Sequence, residues 1–296
     1  MLARLRRSGV RIARPSVTSP ILTDMPSPSE LNRAWWDERS ELHGQDGFYY
    51  DIAGFLAGRS AMSRRELSEL EAAVGSIHGV EVLHLQCHIG LGTLSLARMG
   101  ARVTGLDFSA EALRRAWETA DAASLSAEFV EADALGIPPE LHGRFDVVFA
   151  SYGVLVWARD LHAWMESAAT CLRPGGKLVL VEGHPIVAMV QSIDPPALGW
   201  AYQGGDPTPH HMPGDYAEQD AATQANDIVM YAHGIGEVVS AAADAGLRLE
   251  ALTEWLDADW APEGGKLARE DDGRYRLAFA GSHLPVEFAL RARSSA

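Results

Sequence analysis

The sequence is poor in cysteine and in positive charge, and it has no long apolar run. Its two cysteines, Cys87 and Cys171, are too few for a disulfide framework and form no CxxC pair. The 40 acidic residues exceed the 25 basic ones, and the formal net charge is −15. This charge argues against nucleic acid or an anionic membrane as partner, because phosphate binding needs a positive surface. No apolar stretch approaches the ~18 residues of a membrane span, so we expect a cytoplasmic protein.

The N-terminal residues differ in composition from the rest of the chain. Residues 1–23 contain five arginines, two prolines and no acidic side chain. They lack the apolar core of a secretory signal. We expect residues 1–28 to be a disordered tail, with Met25 as an alternative start; a transit peptide is the other interpretation. The segment from Pro26 to Glu30 then has the composition of a linker that leads into a helix.

Aromatic side chains are concentrated in residues 31–55, which hold six of them although aromatics make up 8% of the chain. One interpretation is a helix whose aromatic face packs on the main domain. The other is a lid that closes over a ligand, with Tyr49 and Tyr50 against the cofactor. Together with a second predicted helix at 66–74, this segment defines a predicted N-terminal helical lid at 29–77.

From Val80 onward, short apolar runs alternate with helical stretches. The runs are apolar on both faces, which is typical of a buried parallel sheet with helices on both of its faces. We predict a Rossmann-like α/β domain over residues 78–296. Its first five strands are predicted at 81–86, 102–107, 127–131, 145–151 and 176–182, and the helices between them at 91–99, 109–123 and 159–172.

Residues 185–230 interrupt this alternation. They are rich in Gly, Pro, Asp and Gln, and they are far longer than an ordinary connection. We expect an insertion after the fifth strand that is either a cover over the active site or a flexible loop. After it, a helix is predicted at 234–245 and strands at 247–254 and 284–292, while 255–282 is mostly polar.

Residues 81–109 have the order strand, turn, helix, strand, acid, which is the first half of a nucleotide-binding unit. Gly90 and Gly92 would let backbone approach a ligand closely, and the following helix directs its positive N-terminus at a negative group. Asp107 ends the second strand, where a carboxylate can accept hydrogen bonds from ribose hydroxyls. The segment therefore predicts an adenosine-containing cofactor, and NAD satisfies it as well as other nucleotides do.

The order of these segments resembles the class I S-adenosylmethionine-dependent methyltransferases for over 200 residues. The matching segments are the 81–109 unit, EADAL at 131–135, FDVVFASYGVLVW at 145–157, LRPGGKLVLVE at 172–182 and the final strand pair. WWDE at 35–38, HLQCHIG and VEGHP are similar to a subgroup of bacterial small-molecule methyltransferases. The resemblance implies a seven-stranded, mostly parallel sheet with an antiparallel last strand, and S-adenosylmethionine as cofactor.

The resemblance also implies roles for particular residues. It places Asp107 on the cofactor ribose, Asp133 at the adenine and the turn after the first strand under the methionine part. The family's acid on the first strand is His84 here, and Gln86 and His88 replace the first two glycines of the turn. We expect His84 to be a hydrogen-bonded core residue, and Gln86 or a backbone carbonyl to contact the cofactor ammonium group. The full predicted cofactor set is Gln86, His88, Gly90, Asp107, Phe108, Asp133, Ala134, Ser151 and Tyr49.

Two other functions remain open alternatives. Residues 90–95 nearly match G-x-G-x-x-(G/A), so an NAD-dependent oxidoreductase is one. A non-catalytic protein that binds S-adenosylmethionine is the other, because the glycine turn is degraded. Asp133, the RPGG turn and the terminal strand pair favour the methyltransferase.

Methyl transfer from a sulfonium needs alignment in a dry pocket, and it needs a base only when the acceptor must lose a proton. His184 is our first candidate for that base because its ordinary pKa suits neutral pH. His233 and Tyr152 complete the predicted catalytic set. His210 and His211 match no recognised metal-ligand spacing, so no metal is expected. No [DNS]-P-P-[YF] signature, which amino-methylating nucleic-acid enzymes carry, follows the fourth strand. Together with the net charge of −15, this favours a small-molecule acceptor, methylated on O, N or C. We also expect a monomer or homodimer.

Overall fold

The computed structural model describes residues 26–44, 50–204, 206–217, 220–261 and 265–295. The predicted tail at 1–28 lies outside these residues except for its last three positions, and so does Tyr49. Ser27 and Pro28 already belong to the start of the first helix. Helix α1 therefore begins within the predicted linker and helix-start segment at 26–30.

Three helices precede the sheet: α1 (Pro28–Leu42), α2 (Ile52–Leu56) and α3 (Arg64–Val74). Helix α1 begins with a capping box, in which the Ser27 hydroxyl accepts from the Glu30 amide and the Glu30 carboxylate accepts from the Ser27 amide. The predicted aromatic helix thus ends at Leu42. Among the described residues, no helix has the length and apolar character needed to cross a membrane.

The main sheet has seven strands in the order β10-β14-β5-β4-β1-β2-β3. β1 to β5 run parallel, and the last strand lies antiparallel between β5 and β10. This confirms the predicted fold class. The strands of this sheet are β1 (Glu81–Leu85), β2 (Arg102–Asp107), β3 (Glu128–Glu131), β4 (Phe145–Ser151), β5 (Leu172–Gly183), β10 (Leu247–Trp255) and β14 (Glu287–Ser294).

Helices cover both faces of the sheet, because alternate strand residues point to opposite sides and both sets are apolar. Leu83 and Leu178 face a core shared with α6 (Leu161–Cys171) and α8 (Ile235–Asp244). Val82 and Val179 face the opposite side, where α3 and α4 (Leu91–Arg98) contribute to the core. Helix α5 (Ala110–Ala123) packs beside α4 on that second side.

The insertion after β5 is built of short elements. They are α7 (Pro185–Met189), β6 (Val190–Ser192), β7 (Ala197–Leu198), β8 (Thr208–His211) and β9 (Asp227–Met230). β8 and β9 pair as an antiparallel ribbon, which packs against α1. The Asn32 side chain donates to the Val229 carbonyl at 2.9 Å and accepts from the Val229 amide at 2.8 Å. The insertion is therefore hydrogen-bonded to the N-terminal helix.

The mostly polar segment before the last strand contains a small sheet that the sequence pattern does not predict. Its strands are β11 (Ala268–Arg269), β12 (Tyr275–Phe279) and β13 (Ser282–Leu284). Leu277 is its one fully buried residue within the described part of the chain, packing against Val190 and Val286. The strand predicted at 284–292 is split, because Pro285 has no amide hydrogen for a ladder.

Candidate functional site

A cleft lies where the carboxyl ends of β1, β2 and β3 meet the segment after β4. Its empty space, including the open mouth, is about 510 Å³. Four predicted cofactor residues, Gln86, Phe108, Asp133 and Ala134, are part of its wall. Other parts of the wall come from α1, from α6 and from the loop after β4, and include Asn32, Arg33, Leu135, Trp157 and Trp164.

The turn between β1 and α4 has an unusual backbone. Gln86 and His88 both have a φ of 52°, and Gly90 has a φ of 75°. The Gln86 side chain accepts from the Trp164 indole at 2.8 Å and donates to the Val154 carbonyl at 3.1 Å. Gln86 thus ties the loop after β4 to α6 at the edge of the cleft.

The two glycines of this turn have neighbours inside the protein. A Cβ on Gly90 would lie 2.7 Å from the Ala116 Cβ and 3.0 Å from the Phe129 ring. A Cβ on Gly92 would lie 3.1 Å from the His84 ring. Gly90 therefore requires glycine for internal packing, whereas a Cβ at Gly92 would need the His84 ring to shift slightly. The predicted role of Gly90 in cofactor binding stays a prediction.

Asp107 ends β2 with its side chain buried. One carboxylate oxygen accepts from the His88 amide at 2.8 Å and the other from the Ser109 amide at 2.9 Å. Burial raises the pKa of Asp107 to about 6, although these amide hydrogen bonds oppose the rise. The carboxylate thus joins the β1 turn to the start of α5 while lying one residue before the cleft wall at Phe108.

Two arginines surround the far end of the cleft. Arg159 donates to one oxygen of the Asp133 carboxylate at 2.9 Å. The other oxygen of that carboxylate accepts from the Leu135 amide at 2.9 Å. The Arg33 guanidinium lies 5.3 Å from the centre of the Phe108 ring and donates to the Phe108 carbonyl. Arg33 and Arg159 are absent from the predicted site, because nothing in their local sequence marks them.

His84 is a core residue, as expected. Its Nδ1 lies 2.8 Å from the Thr93 hydroxyl, and its ring lies 4.9 Å from the Phe149 ring. Burial lowers the pKa of His84 to about 4, so the ring is neutral at pH 7. His84 therefore does not replace the negative charge of the family's usual acid.

Ser151 ends β4 and Tyr152 follows it, and both side chains point toward α3. The Tyr152 hydroxyl lies 3.3 Å from the Ser63 hydroxyl, and Ser151 hydrogen-bonds the Glu66 carboxylate. Tyr152 has a φ of 43°, which turns the chain after the strand. Neither residue is among those that the structure describes in the cleft wall. Their predicted roles in catalysis and cofactor binding stay predictions.

The two predicted histidine bases have both ring nitrogens engaged. His184 accepts from the Ile186 amide at 3.2 Å and contacts the Glu254 carboxylate at 2.7 Å. His233 contacts the Ala158 carbonyl at 2.7 Å and the Glu237 carboxylate at 3.1 Å. Neither is among the described wall residues, so their role as base also stays a prediction.

A cluster of histidines that sequence analysis does not bring together lies beneath α1. His43 lies 3.0 Å from the Asp215 carboxylate and 2.7 Å from the His88 ring. From the sequence, His88 is recognised only as part of the turn after β1. Asp215 is noticeable only because it lies close to His210 and His211 in the sequence. No local signal could have joined residues from α1, the turn and the insertion.

The chain is similar to known methyltransferases over part of its length. Residues 82–176 match the family model described as "Methyltransferase domain". A ubiquinone biosynthesis O-methyltransferase of Cupriavidus pinatubonensis is 28% identical over 50% of this chain and 53% of its own length. A demethylmenaquinone methyltransferase of Thermus thermophilus is 38% identical over 33% of this chain and 46% of its own length. The chain thus spans about half the length of these curated relatives.

The fold matches a solved structure as well. An S-adenosylmethionine-dependent methyltransferase from Mesorhizobium loti covers 80% of this chain and 99% of its own, with a TM-score of 0.51 and 19% identity. At this identity the likeness concerns the fold alone.

The cleft fits the adenosine part of S-adenosylmethionine. Phe108 and Leu135 offer apolar surface for a purine, and Asp133 adds a carboxylate beside them. The buried carboxylate of Asp107 is an acceptor suited to ribose hydroxyls. Residues 82–176 thus match the methyltransferase-domain family model, and the fold around them is similar to that of S-adenosylmethionine-dependent methyltransferases.

Proposed function

We propose that the protein transfers a methyl group from S-adenosylmethionine to a small-molecule acceptor, at an oxygen, nitrogen or carbon atom. The observation that carries this proposal is the buried Asp107 carboxylate at the end of β2, directly before Phe108 in the cleft wall. In the proposal Asp107 holds the ribose, Asp133 lies at the adenine and the backbone of the 86–90 turn holds the amino-acid end. Tyr49 and Ser151 keep their predicted cofactor roles as proposals.

The residues of the chain contribute position and exclusion of water. S-adenosylmethionine supplies an electrophilic methyl group on a sulfonium. In the proposal, residues 29–77 are the lid of the 78–296 domain and residues 185–230 are its cover. The hydrogen bonds from Asn32 in the lid to Val229 in the cover support this assignment. A closed pocket keeps water from the reacting atoms and holds acceptor and methyl group in line.

The acceptor that we propose is small and has an apolar, planar part. Trp35, Trp36 and Trp157 pack against one another beside the cleft, with ring centres 4.9 to 5.8 Å apart. Such rings bind flat apolar groups by stacking. The names of the curated relatives, which concern ubiquinone and demethylmenaquinone, point to the same kind of acceptor. We further propose a cytoplasmic monomer or homodimer.

The first prediction separates the candidate functions by ligand binding. S-adenosylhomocysteine at 100 times its dissociation constant should raise the melting temperature by about 5 °C, whereas NAD should not. Asp107→Ala should weaken binding of S-adenosylhomocysteine by about tenfold or more, measured by calorimetry. Asp121→Ala, at an exposed position on α5, is the matched control. An unchanged affinity in Asp107→Ala would refute the ribose assignment, and stabilisation by NAD alone would favour the oxidoreductase.

The second prediction concerns pH. Because the pKa of Asp107 is raised to about 6, the carboxylate is ionised above that pH and becomes protonated below it. Ribose hydroxyls donate to the ionised form, so affinity for S-adenosylhomocysteine should fall as the pH is lowered through about 6. Asp107→Asn should bind weakly with little change over the same range. Calorimetry between pH 5 and 8 measures both, and a flat profile in the wild-type protein would contradict the prediction.

A further inference from the structure

Three side chains from three separate segments form one hydrogen-bonded chain. The Asp215 carboxylate, in the insertion, lies 3.0 Å from Nε2 of His43, which follows α1. Nδ1 of His43 lies 2.7 Å from Nε2 of His88, in the turn after β1. Asp215 and His43 are buried, whereas His88 is partly exposed. We call this arrangement the Asp215–His43–His88 chain.

Hydrogen-bonding requirements determine where the hydrogens of this chain lie. A carboxylate can only accept, so Nε2 of His43 carries hydrogen and donates to Asp215. Nδ1 of His43 is then an acceptor, and Nε2 of His88 donates to it. Nδ1 of His88 is therefore left with a free electron pair. Its one partner among the described residues is the Ser40 hydroxyl at 3.5 Å, whose hydrogen is directed to the Trp36 carbonyl at 2.7 Å.

The charges around the chain keep its carboxylate ionised and its outer ring neutral. Burial would raise the pKa of Asp215, but His43, the Ala217 amide and Arg39 together bring it below its usual value. Burial, aided by the neighbouring His43 and Arg115, holds the pKa of His88 well below its usual value. Arg39 comes from α1 and Arg115 from α5, where it donates to the Ser40 and Glu41 carbonyls.

The outer end of the chain is close to the proposed acceptor site. The His88 ring lies 5.0 Å from the Trp36 ring, which in turn lies 5.4 Å from Trp157 in the cleft wall. The Tyr50 ring stacks on His43 at 4.2 Å and lies 5.0 Å from His88. The free electron pair of His88 is therefore among the aromatic rings that we assign to the acceptor.

We propose that the Asp215–His43–His88 chain is a proton relay, with Nδ1 of His88 as the general base for an acceptor that carries a hydroxyl group. The inference rests on the proposed function and narrows its acceptor to an alcohol or phenol. His43 and Asp215 are positioning residues, because they act through His88.

The step balances as follows for a hydroxyl acceptor. The acceptor oxygen forms a bond to the methyl carbon as the carbon–sulfur bond breaks and its electron pair stays on sulfur. The hydroxyl proton passes to Nδ1 of His88, while the proton on Nε2 of His88 passes to Nδ1 of His43. The positive charge then rests on His43, where the Asp215 carboxylate stabilises it, and the products are a methyl ether and S-adenosylhomocysteine.

The test determines which ring nitrogens of His43 and His88 carry hydrogen. It uses the full-length protein with S-adenosylhomocysteine added as ligand. Histidine labelled with a nitrogen isotope is studied at neutral pH by long-range proton–nitrogen NMR, and H43Q and H88Q assign the signals. We expect hydrogen on Nε2 of both rings and a bare Nδ1 on His88. Replacing Asp215 with asparagine should shift the signals of His43 and, through it, those of His88.

The matched control is Asp227→Asn, because Asp227 pairs with the exposed His211 at 2.7 Å in the same insertion. This variant should leave the His43 and His88 signals in place. Hydrogen on Nδ1 of His88, or a His88 signal that D215N does not move, overturns the relay.

Binding and turnover keep the two proposals distinct. S-adenosylhomocysteine should bind D215N within about threefold of the wild-type affinity; a loss of tenfold or more would assign the chain to cofactor binding and overturn the relay. With a hydroxyl acceptor, D215N should lower kcat by about 100-fold at pH 7 with little change in KM. Failure of the wild-type protein to bind S-adenosylhomocysteine would instead refute the proposed function.

Discussion

Replacing Glu182 with glutamine should lower the free energy of unfolding by about 3 kcal/mol. The carboxylate at the end of β5 is buried and accepts from four backbone amides. Burial raises the pKa of Glu182, and hydrogen bonds from the same four amides oppose that rise. The distances are 2.7 Å to the amides of Gly153, Val154 and Gly183, and 3.0 Å to the amide of Leu155.

The loss follows from the chemistry of the amide side chain. Glutamine has one acceptor oxygen, and its NH₂ group would face backbone donors, which leaves buried amides without partners. Removal of a buried charge offsets part of this cost. Because the loop that Glu182 holds leads to Trp157 in the cleft, affinity for S-adenosylhomocysteine should fall as well.

Urea unfolding followed by circular dichroism at pH 7 measures the effect of the Glu182 substitution. Glu118→Gln is the control, since this exposed carboxylate on α5 pairs only with the exposed Arg114 among the described residues, and it should barely change the midpoint. Equal midpoints in the two variants would show that the Glu182 carboxylate does not stabilise the loop.

Gly90→Ala should also destabilise the fold by about 3 kcal/mol. The φ of 75° at Gly90 costs an L residue about 1–2 kcal/mol. A methyl group there would also lie 2.7 Å from the Ala116 Cβ and 3.0 Å from the Phe129 ring, and such overpacking costs about 1–3 kcal/mol. Relief would require α5 or the Phe129 ring to move away from the turn.

Gly236→Ala is the matched control for the same measurement. Gly236 lies in α8 with open space where a Cβ would be, so alanine there should stabilise the helix by roughly 0.5–1 kcal/mol. Chemical unfolding of both variants gives opposite signs if the packing at Gly90 is as described. Destabilisation by Gly236→Ala, or none by Gly90→Ala, would contradict it.

The strands of the main sheet could be predicted because short stretches of neighbouring residues are enough to indicate them. Apolar runs such as 145–151 and stop signals such as Gly100 indicate strands and helix ends without knowledge of the fold. β5 begins at Leu172, earlier than the predicted 176, because Leu172 already pairs with Phe145, ahead of a register shift at the RPGG segment. The small sheet around Leu277 escaped prediction because its strands are short and mostly exposed.

The side chains of the site were harder to predict, because their direction depends on backbone turns and distant partners. Tyr152 follows β4 as expected, but its positive φ directs the ring toward α3. His43 and Asp215 are far apart in sequence, and only the packing of the insertion on α1 brings them together. Asp107 and Asp133 lie at strand ends, where position alone indicates a role.

The attachment of β9 to α1 has a kinetic consequence. Asn32 is hydrogen-bonded to β9 and also lines the cleft, and Arg39 of the same helix donates to the Met212 and Ala225 carbonyls of the insertion. Helix and insertion are therefore expected to move as one unit when a nucleotide enters or leaves. We expect this coupled movement to slow the exchange of S-adenosylhomocysteine.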